Sequence, residues 1–125
     1  MDIIAQEFKT SGNIGAIARI MKNFEFENLI LLNPKCNHLE KESLDRATHA
    51  KDILNNAKIV KELKGYDTLI GTTAKIGTDY NLNRTPITPE ELAKLNIKGK
   101  VGIIIGREND GMHNKELEMC DIVVN

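Results

Sequence analysis

Apolar positions follow two different spacings along this chain. Four compact apolar runs of strand length predict buried strands at residues 2–8, 28–33, 67–74 and 100–106. Between the first two runs, apolar side chains recur at helical spacing from Ile14 to Phe24 and predict a helix that begins near Asn13. A similar spacing over residues 40–56 predicts a second helix. Strands and helices are therefore expected to alternate through the first half of the chain.

The remaining segments predict shorter elements. We expect a short strand at 58–60, a turn of helix at 61–66, a loop at 75–87 and a last strand at 121–125. Thr88 and Glu91 have the spacing of a capping box, which predicts a short helix that ends at about Leu95. Asn114 is placed to cap another helix, which runs through Cys120.

Alternating strands and helices predict an α/β fold, with a mostly parallel sheet and helices on both faces. The length suits a single domain over residues 1–125. In open sheets of this kind, ligands bind beyond the carboxyl ends of the strands. Three strand ends carry glycine together with hydroxyl, amide or charged side chains, namely TSGN (10–13), GTTA (71–74) and GREND (106–110). The sequence therefore predicts a ligand cleft at that edge.

Composition narrows the classes of function. The formal net charge is −1, so charge alone gives no support for binding nucleic acid. No apolar run approaches the roughly 20 residues that a membrane span needs, and no signal sequence is evident, so we expect a cytoplasmic protein. Cys36 and Cys120 are far apart in sequence and are expected to be reduced thiols, and no metal-ligand spacing is present.

Each candidate strand end has a plain interpretation beside a functional one. Arg19 is either a surface arginine or a group that reaches a phosphate or a reacting hydroxyl. The GTTA segment is either an ordinary exit from a strand or a close contact to an adenine or ribose. Arg107 and Glu108 either belong to a solvated turn, in which Arg107 simply pairs with Glu108 or with another acid, or they line a ligand site.

Two segments carry a family resemblance. The stretch NIGAIARIMKNF at 13–24 resembles motif 1 of the SPOUT-class RNA 2'-O-methyltransferases of the TrmH family. The stretch IIIGRENDGM at 103–112, with NKELEMCDIVV after it, resembles their motif 2. The strand NLILLNP and the later GTTA also fit. The resemblance covers the whole chain and is nearest to the TrmJ-like branch, whose members methylate a ribose in the tRNA anticodon loop.

The resemblance implies a Rossmann-like SPOUT fold with an α/β knot, S-adenosylmethionine as methyl donor, RNA (expected to be tRNA) as substrate, a homodimer and no metal. It implies that Arg19 is the general base or activator of the target 2'-hydroxyl. Because a guanidinium is a poor base, we expect Arg19 to stabilise the developing alkoxide or to fix the adjacent phosphate. The resemblance also implies that Asn13 orders that site and that Glu108 holds the active-site loops. Contacts to the donor are implied for four residues, Thr72, Thr73, Ala74 and Gly106.

The sequence departs from the family after its last strand. A third motif is expected there, with a proline-containing loop, an SLN-type segment and a terminal helix that close a trefoil knot, which is rare among folds. No SLN occurs in this sequence, which stops at Asn125 where that motif would begin. We therefore expect a truncated domain in which half of the donor pocket is missing, the knot is not closed and the dimer surface is incomplete.

Two other functions stay open on the sequence. The missing third motif favours a non-catalytic RNA-binding or dimerisation module on the same fold. An unrelated nucleotide-binding α/β domain would instead hold phosphate at the helix start near Asn13. Because the net charge is close to zero, any contact with RNA has to come from local basic groups. The candidates are Lys9, Arg19, Lys22 and Arg84.

Overall fold

The computed structural model describes residues 1–73 and 86–125. The strands in these residues are β1 (Asp2–Gln6), β2 (Asn28–Leu32), β3 (Lys58–Val60), β4 (Thr68–Thr72), β5 (Val101–Ile105) and β6 (Ile122–Val124). The helices are α1 (Ser11–Asn23), α2 (Lys41–Ala47), α3 (Lys51–Asn55), α4 (Pro89–Ala93) and α5 (Asn114–Glu118). Among them, no helix is long and apolar enough to cross a membrane.

The six strands form one sheet in the order β3-β2-β1-β5-β4-β6, and every registered pair is parallel. In the centre of the sheet, Ile3 of β1 lies beside Leu29 of β2 and Ile103 of β5. Parallel pairing requires crossover connections, which the helices supply. The predicted α/β class and parallel sheet are confirmed.

Alternate residues of each strand face opposite sides of the sheet, so the core has two halves. On one face, Ile3 and Leu31 pack with Ile14 of α1, Ala47 of α2 and Leu54 of α3. This face holds the long helix α1 against the two central strands. It therefore fixes where the segment between β1 and α1 lies relative to the strand ends.

The second face of the sheet is covered by α5 and by the segment before β4. Ile4, Ile104 and Val123 pack there with Leu117 of α5, and Tyr66 is partly buried against the same cluster. Leu117 is fully buried although α5 has a single turn and a half of helix. Helices therefore lie on both faces, as predicted, and α5 ties the strand ends of β4 to those of β5.

The first strand and the first helix differ from the prediction at their junction. The strand ends at Gln6 because Glu7 takes a left-handed backbone conformation with φ of 51°, which cannot continue a strand. The helix begins at Ser11 with Thr10 as its N-cap. Asn13 is therefore inside the first turn, and its predicted place at the N-cap is wrong.

The predicted helix at 40–56 consists of three pieces. Helix α2 ends where Thr48 takes a φ of 54°, a short 3₁₀ turn follows over Thr48–Ala50, and α3 completes the segment. The predicted turn of helix at 61–66 is wrong, because this segment forms bends that pack Leu63 and Tyr66 onto the second face.

The capping box before α4 is confirmed, since the hydroxyl of Thr88 accepts a hydrogen bond from the amide of Glu91 at 3.1 Å. The N-cap of α5 is His113 rather than the predicted Asn114. The reason is that the Glu116 carboxylate accepts from the amide of His113 at 2.7 Å, so the first turn starts one residue earlier. Most of the loop predicted at 75–87 lies outside the described residues.

Candidate active site

A cleft of about 490 Å³ opens at the carboxyl ends of β4, β5 and β6. Its lining residues are Thr72, Thr73, Ile105, Gly106, Arg107, Glu108, Asn109, Asp110, Gly111, Met112, Val124 and Asn125. The volume is within the range of about 300–1,000 Å³ that is usual for small-molecule sites. The sheet edge that the sequence predicted as a ligand site therefore carries a cleft of suitable size.

One wall of the cleft is a tight turn at residues 106–111. A β-carbon on Gly106 would overlap the carbonyl carbon of Gly111 and lie 2.5 Å from the nitrogen of Met112, so the turn folds back directly onto Gly106. Gly111 itself takes a φ of 63°, which favours glycine. The two glycines are therefore explained by the path of the turn itself, which shapes the wall of the cleft.

The other wall is the end of β4. The hydroxyl of Thr72 donates to the carbonyl oxygen of Ile104 at 2.8 Å, which ties the β4 end to β5. The amide of Thr73 donates to the carbonyl oxygen of Val124 at 2.9 Å, which ties it to β6. Both threonines line the cleft. Ala74, the third predicted residue of this segment, lies outside the described residues.

Glu108 joins the cleft to the start of α1. Its carboxylate oxygen Oε2 accepts hydrogen bonds from the amides of Thr10 at 2.7 Å and Lys9 at 3.0 Å. Partial burial acts to raise the pKa of Glu108, but hydrogen bonds from its own backbone amide and from those of Thr10 and Lys9 outweigh that effect, and the pKa is lowered. The Glu108 carboxylate therefore occupies the position before α1 at which an external anion would bind the backbone amides.

Asn13 is oriented by a residue that sequence reasoning missed. Its side-chain oxygen accepts a hydrogen bond from Nη1 of Arg46, on α2, at 3.3 Å. Asn13 lies in the first turn of α1, just after the two residues whose amides Glu108 binds, but it does not itself line the cleft. No sequence pattern links Asn13 to Arg46, because the two are 33 positions apart and meet only through the packing of α1 on α2.

Arg19 is exposed on α1 and is not among the residues that line the cleft. The structure therefore brings together Thr72, Thr73, Gly106 and Glu108, whereas Arg19 and Asn13 belong to the adjoining helix. Of the predicted basic candidates for RNA contact, Lys22 forms an exposed ion pair with Asp52 at 3.0 Å. Arg84 lies outside the described residues.

Arg107 pairs with two other acids, not with Glu108. Its Nη2 lies 2.7 Å from a carboxylate oxygen of Glu7 and 2.7 Å from one of Glu116. The Arg107 guanidinium holds the pKa of Glu116 well below its ordinary value, at about 2. Gln6 also donates to Glu116 at 2.7 Å. The pairing with Glu7 could not be predicted from a sequence pattern, because Glu7 and Arg107 are 100 positions apart.

Cys36 and Cys120 are not in a disulfide, and Cys120 is buried with its Sγ donating to the carbonyl oxygen of Glu116 at 3.4 Å. Burial is the main cause that raises the pKa of Cys36, and Glu108 and Glu40 add to it. Within residues 1–73 and 86–125, no group of three His, Cys, Asp or Glu side chains is arranged to hold a metal ion.

Solved structures that share this fold include SPOUT methyltransferases. The chain matches the structure of a probable methylase family protein from Haemophilus influenzae Rd KW20 with a TM-score of 0.88 and 34% identity, over 99% of this chain and 54% of that one. It also matches the SpoU methyltransferase AviRb of Streptomyces viridochromogenes, solved with AdoMet, with a TM-score of 0.70 and 17% identity, over 99% and 49% of the two chains. The class of protein defined by the fold is therefore the SPOUT methyltransferase class, as predicted.

Sequence comparison gives the family within that class. The profile of the SpoU rRNA methylase family matches residues 1–125, and the chain belongs to this family. A relative from Methanocaldococcus jannaschii, tRNA (cytidine-2'-O-)-methyltransferase TrmJ, is 42% identical over 130 residues, which cover 99% of this chain and 56% of that protein. The chain spans about half the length of the curated relatives that it matches. The resemblance stated from the two motifs is confirmed.

Proposed function

We propose that this chain carries the catalytic domain of an S-adenosylmethionine-dependent methyltransferase that acts on the ribose 2'-hydroxyl of RNA, with tRNA as the substrate. One observation carries the proposal. Glu108 lines the cleft and also binds the amides of Lys9 and Thr10, at the entry to α1. A single residue thereby links a small-molecule cleft to the helix that presents Asn13 and Arg19.

The size and the surface of the cleft support the methyl donor as its ligand. It offers the hydroxyl-bearing end of β4, the backbone of the 106–111 turn and an apolar wall that includes Ile105 and Val124. Such a mixture suits an adenosine with a charged amino-acid arm. When bound, S-adenosylmethionine would supply a sulfonium-activated methyl group, whose carbon a nucleophilic oxygen can attack in line while the thioether leaves. Thr72, Thr73, Ala74 and Gly106 are proposed to hold it.

Arg19 is proposed to act on the acceptor side. A guanidinium is charged at ordinary pH, so it suits stabilising the alkoxide that develops on the 2'-oxygen, or fixing the adjacent phosphate. In the transfer, the 2'-oxygen forms a bond to the methyl carbon, the bond from sulfur to that carbon breaks, and the hydroxyl proton leaves to a base or to water. Asn13, held by Arg46, is proposed to orient this region. Positioning of the two reactants is expected to supply much of the rate.

The names of the relatives support tRNA as the substrate class. The Methanocaldococcus jannaschii relative and a Pseudomonas aeruginosa relative, which is 35% identical, are both named as tRNA 2'-O-methyltransferases. Their names include cytidine in both cases and uridine and adenosine in the second. We therefore propose a ribose target on tRNA and leave its base identity to experiment. A cytoplasmic location stays part of this proposal.

A homodimer is proposed on the basis of α1. Ile20 and Phe24 are 57% and 70% exposed and lie one turn apart, next to Arg19. Apolar side chains that are exposed in this way, on the helix that carries the proposed acceptor residue, suit packing against a second copy of the chain. Arg19 would then lie at the edge of the interface, where a composite site could form.

The test uses the complete polypeptide in which this chain occurs, with radiolabelled S-adenosylmethionine and tRNA. We expect label in the RNA and, after nuclease digestion, a 2'-O-methylated nucleoside by mass spectrometry. Arg19→Ala should lower the rate of transfer at least 100-fold and Arg19→Lys at least 10-fold, because lysine loses the planar fork. Lys94→Gln, on the exposed end of α4, is the control and should stay within twofold.

Three results would count against the proposal. RNA binding without any methyl transfer by the wild-type protein would favour the non-catalytic module. Full activity in Arg19→Lys and Arg19→Ala would remove Arg19 from the acceptor side. Transfer of the methyl group to a base instead of a ribose would overturn the assigned reaction.

A further inference from the structure

Arg107, a charged residue of the cleft wall, forms hydrogen bonds with several groups at once. Its side chain is only 13% exposed, and its Nη1 and Nη2 lie 2.9 Å and 2.7 Å from the two carboxylate oxygens of Glu116. Nη2 also lies 2.7 Å from Glu7. One guanidinium therefore holds two carboxylates, with a bidentate contact to the second, which fixes direction as well as distance.

The same guanidinium closes the turn that forms the cleft wall. Its Nη1 donates to the carbonyl oxygen of Gly111 at 3.1 Å, and the amide of Gly111 donates back to the carbonyl oxygen of Arg107 at 2.9 Å. The side chain and the backbone of one residue thus hold both ends of the turn at 107–111. The guanidinium that closes the turn is itself held in place by Glu7 and Glu116.

Arg107 and Glu108 attach this turn to the segment between β1 and α1 at two separate points. Arg107 binds Glu7, and Glu108 binds the amide of Thr10. Glu7 is held in a left-handed conformation, with φ of 51°, and its amide donates to the carbonyl oxygen of Leu32. Residues persist in this conformation where their surroundings determine it strongly, and such positions cluster at functional sites.

We infer that Arg107 is a positioning residue for the methyl donor, acting through the 106–111 turn and not by touching the reacting atoms. The inference rests on the proposed function, because it assigns the turn to the donor side of that site. Arg107 fixes the turn against Glu7 and Glu116, and the turn presents its backbone to the cleft. Loss of these contacts should weaken binding of the methyl donor and leave binding of the RNA acceptor largely unchanged.

Arginine is required for this role by its geometry. The planar fork presents several donors in fixed directions, so it can meet two carboxylates and a carbonyl oxygen together. A lysine at 107 keeps the charge beside Glu7 and Glu116 but has one ammonium to share among three acceptors. Arg107→Lys therefore separates fixation of the turn from neutralisation of charge, whereas Arg107→Gln removes both.

The experiment compares wild type, Arg107→Lys and Arg107→Gln in the complete polypeptide, with Lys64→Gln as control. Lys64 also forms an ion pair, with Glu62, but that pair is exposed and is not part of the cleft lining. For Arg107→Lys we expect the KM for S-adenosylmethionine to rise 5- to 20-fold, with kcat and the KM for tRNA within twofold of wild type. Amide hydrogen exchange at residues 107–112 should become at least 10-fold faster. Lys64→Gln should change neither the KM for S-adenosylmethionine nor this exchange rate.

An unchanged KM for S-adenosylmethionine in Arg107→Lys and Arg107→Gln overturns the inference. So does a loss of kcat at saturating donor with KM unchanged, because that result would place Arg107 in the chemical step. Failure of the proposed function would appear separately, as a wild-type protein that transfers no methyl group to RNA. In that case the hydrogen-exchange comparison still decides whether Arg107 fixes the turn.

Discussion

The carboxylate of Glu108 lies 2.7 Å from the backbone nitrogen of Thr10, so a residue of the cleft wall holds the entry to α1 in place. The contact joins two segments that are 98 positions apart in the chain. Its strength comes from the charge on the acceptor, since hydrogen bonds to an ionised carboxylate are stronger than neutral ones. The cleft and the helix start are therefore expected to respond together when this contact is changed.

The first prediction concerns that contact. Glu108→Ala should lower the free energy of unfolding by about 1–3 kcal/mol, because two backbone amides lose a charged acceptor, and should lower methyl transfer at least 100-fold. Glu108→Gln keeps one oxygen in place, so its free energy of unfolding and its rate of methyl transfer should both lie between those of the alanine variant and wild type. Urea denaturation and the RNA methylation assay measure the two effects. Glu118→Gln, exposed on α5, is the control, and equal activity in the control and in Glu108→Ala would contradict the coupling.

The second prediction concerns the fold of the turn. Gly106→Ala places a methyl group against the backbone of Gly111 and Met112, neither of which can give way as a flexible side chain would. We expect a loss of about 1–3 kcal/mol of stability, with donor affinity lowered at least 10-fold in calorimetric titration. Gly65→Ala is the matched control, since Gly65 has a φ of 78° and nothing within 4 Å of a β-carbon. It should lose about 1 kcal/mol and keep donor affinity; equal donor binding by the two variants would refute the argument.

Sequence patterns predicted the framework of this site well. The parallel sheet, the cleft at its carboxyl edge and the grouping of Thr72 and Thr73 with the GREND loop all follow from apolar runs that end in glycine-bearing segments. Such runs report local burial, and a parallel sheet collects their ends at one edge. The family resemblance then identified residues of interest that periodicity alone could not rank.

The contacts that hold the site could not be predicted in the same way. Arg107 pairs with other acids, which is one of the alternatives expected, but the identity of those acids, Glu7 and Glu116, is determined by the positions of β1 and α5 around the turn. Likewise, α1 begins at Ser11 and not near Asn13 as predicted. The amides before the helix receive their acceptor from Glu108, so a local capping signal had no role there. Such partners depend on tertiary packing, which produces no recognisable spacing of residue types along the sequence.

The third prediction concerns the proposed dimer. Ile20→Glu should place a charge in an apolar interface on α1 and shift the complete polypeptide from dimer to monomer in light scattering at micromolar concentration. Met119→Glu is the matched control, because Met119 is 81% exposed but lies on the opposite face of the sheet, beyond α5. A wild-type monomer, or an Ile20→Glu variant that remains dimeric, would contradict the assignment of α1 to the interface.

The fourth prediction follows from the low pKa of Glu116. Its value of about 2 in the folded protein is below the ordinary value of 4.5, because Arg107 stabilises the charged form. A carboxylate with a lowered folded pKa contributes stability that is fully present above the unfolded pKa and is lost as the pH falls towards the folded value. Wild-type protein should therefore lose up to about 3 kcal/mol through this group between pH 5 and pH 2.

Glu116→Gln removes the titrating group and tests this directly. The variant should be less stable than wild type at pH 7, since Arg107 loses a charged partner in a partly buried site. The difference should shrink as the pH falls towards 2, where wild-type Glu116 is itself partly protonated. Urea denaturation at pH 7, 5, 4, 3 and 2 gives both curves, with Asp45→Asn, exposed on α2, as control. Parallel curves for wild type and Glu116→Gln over that whole range would show that the Arg107 pair contributes nothing to acid stability.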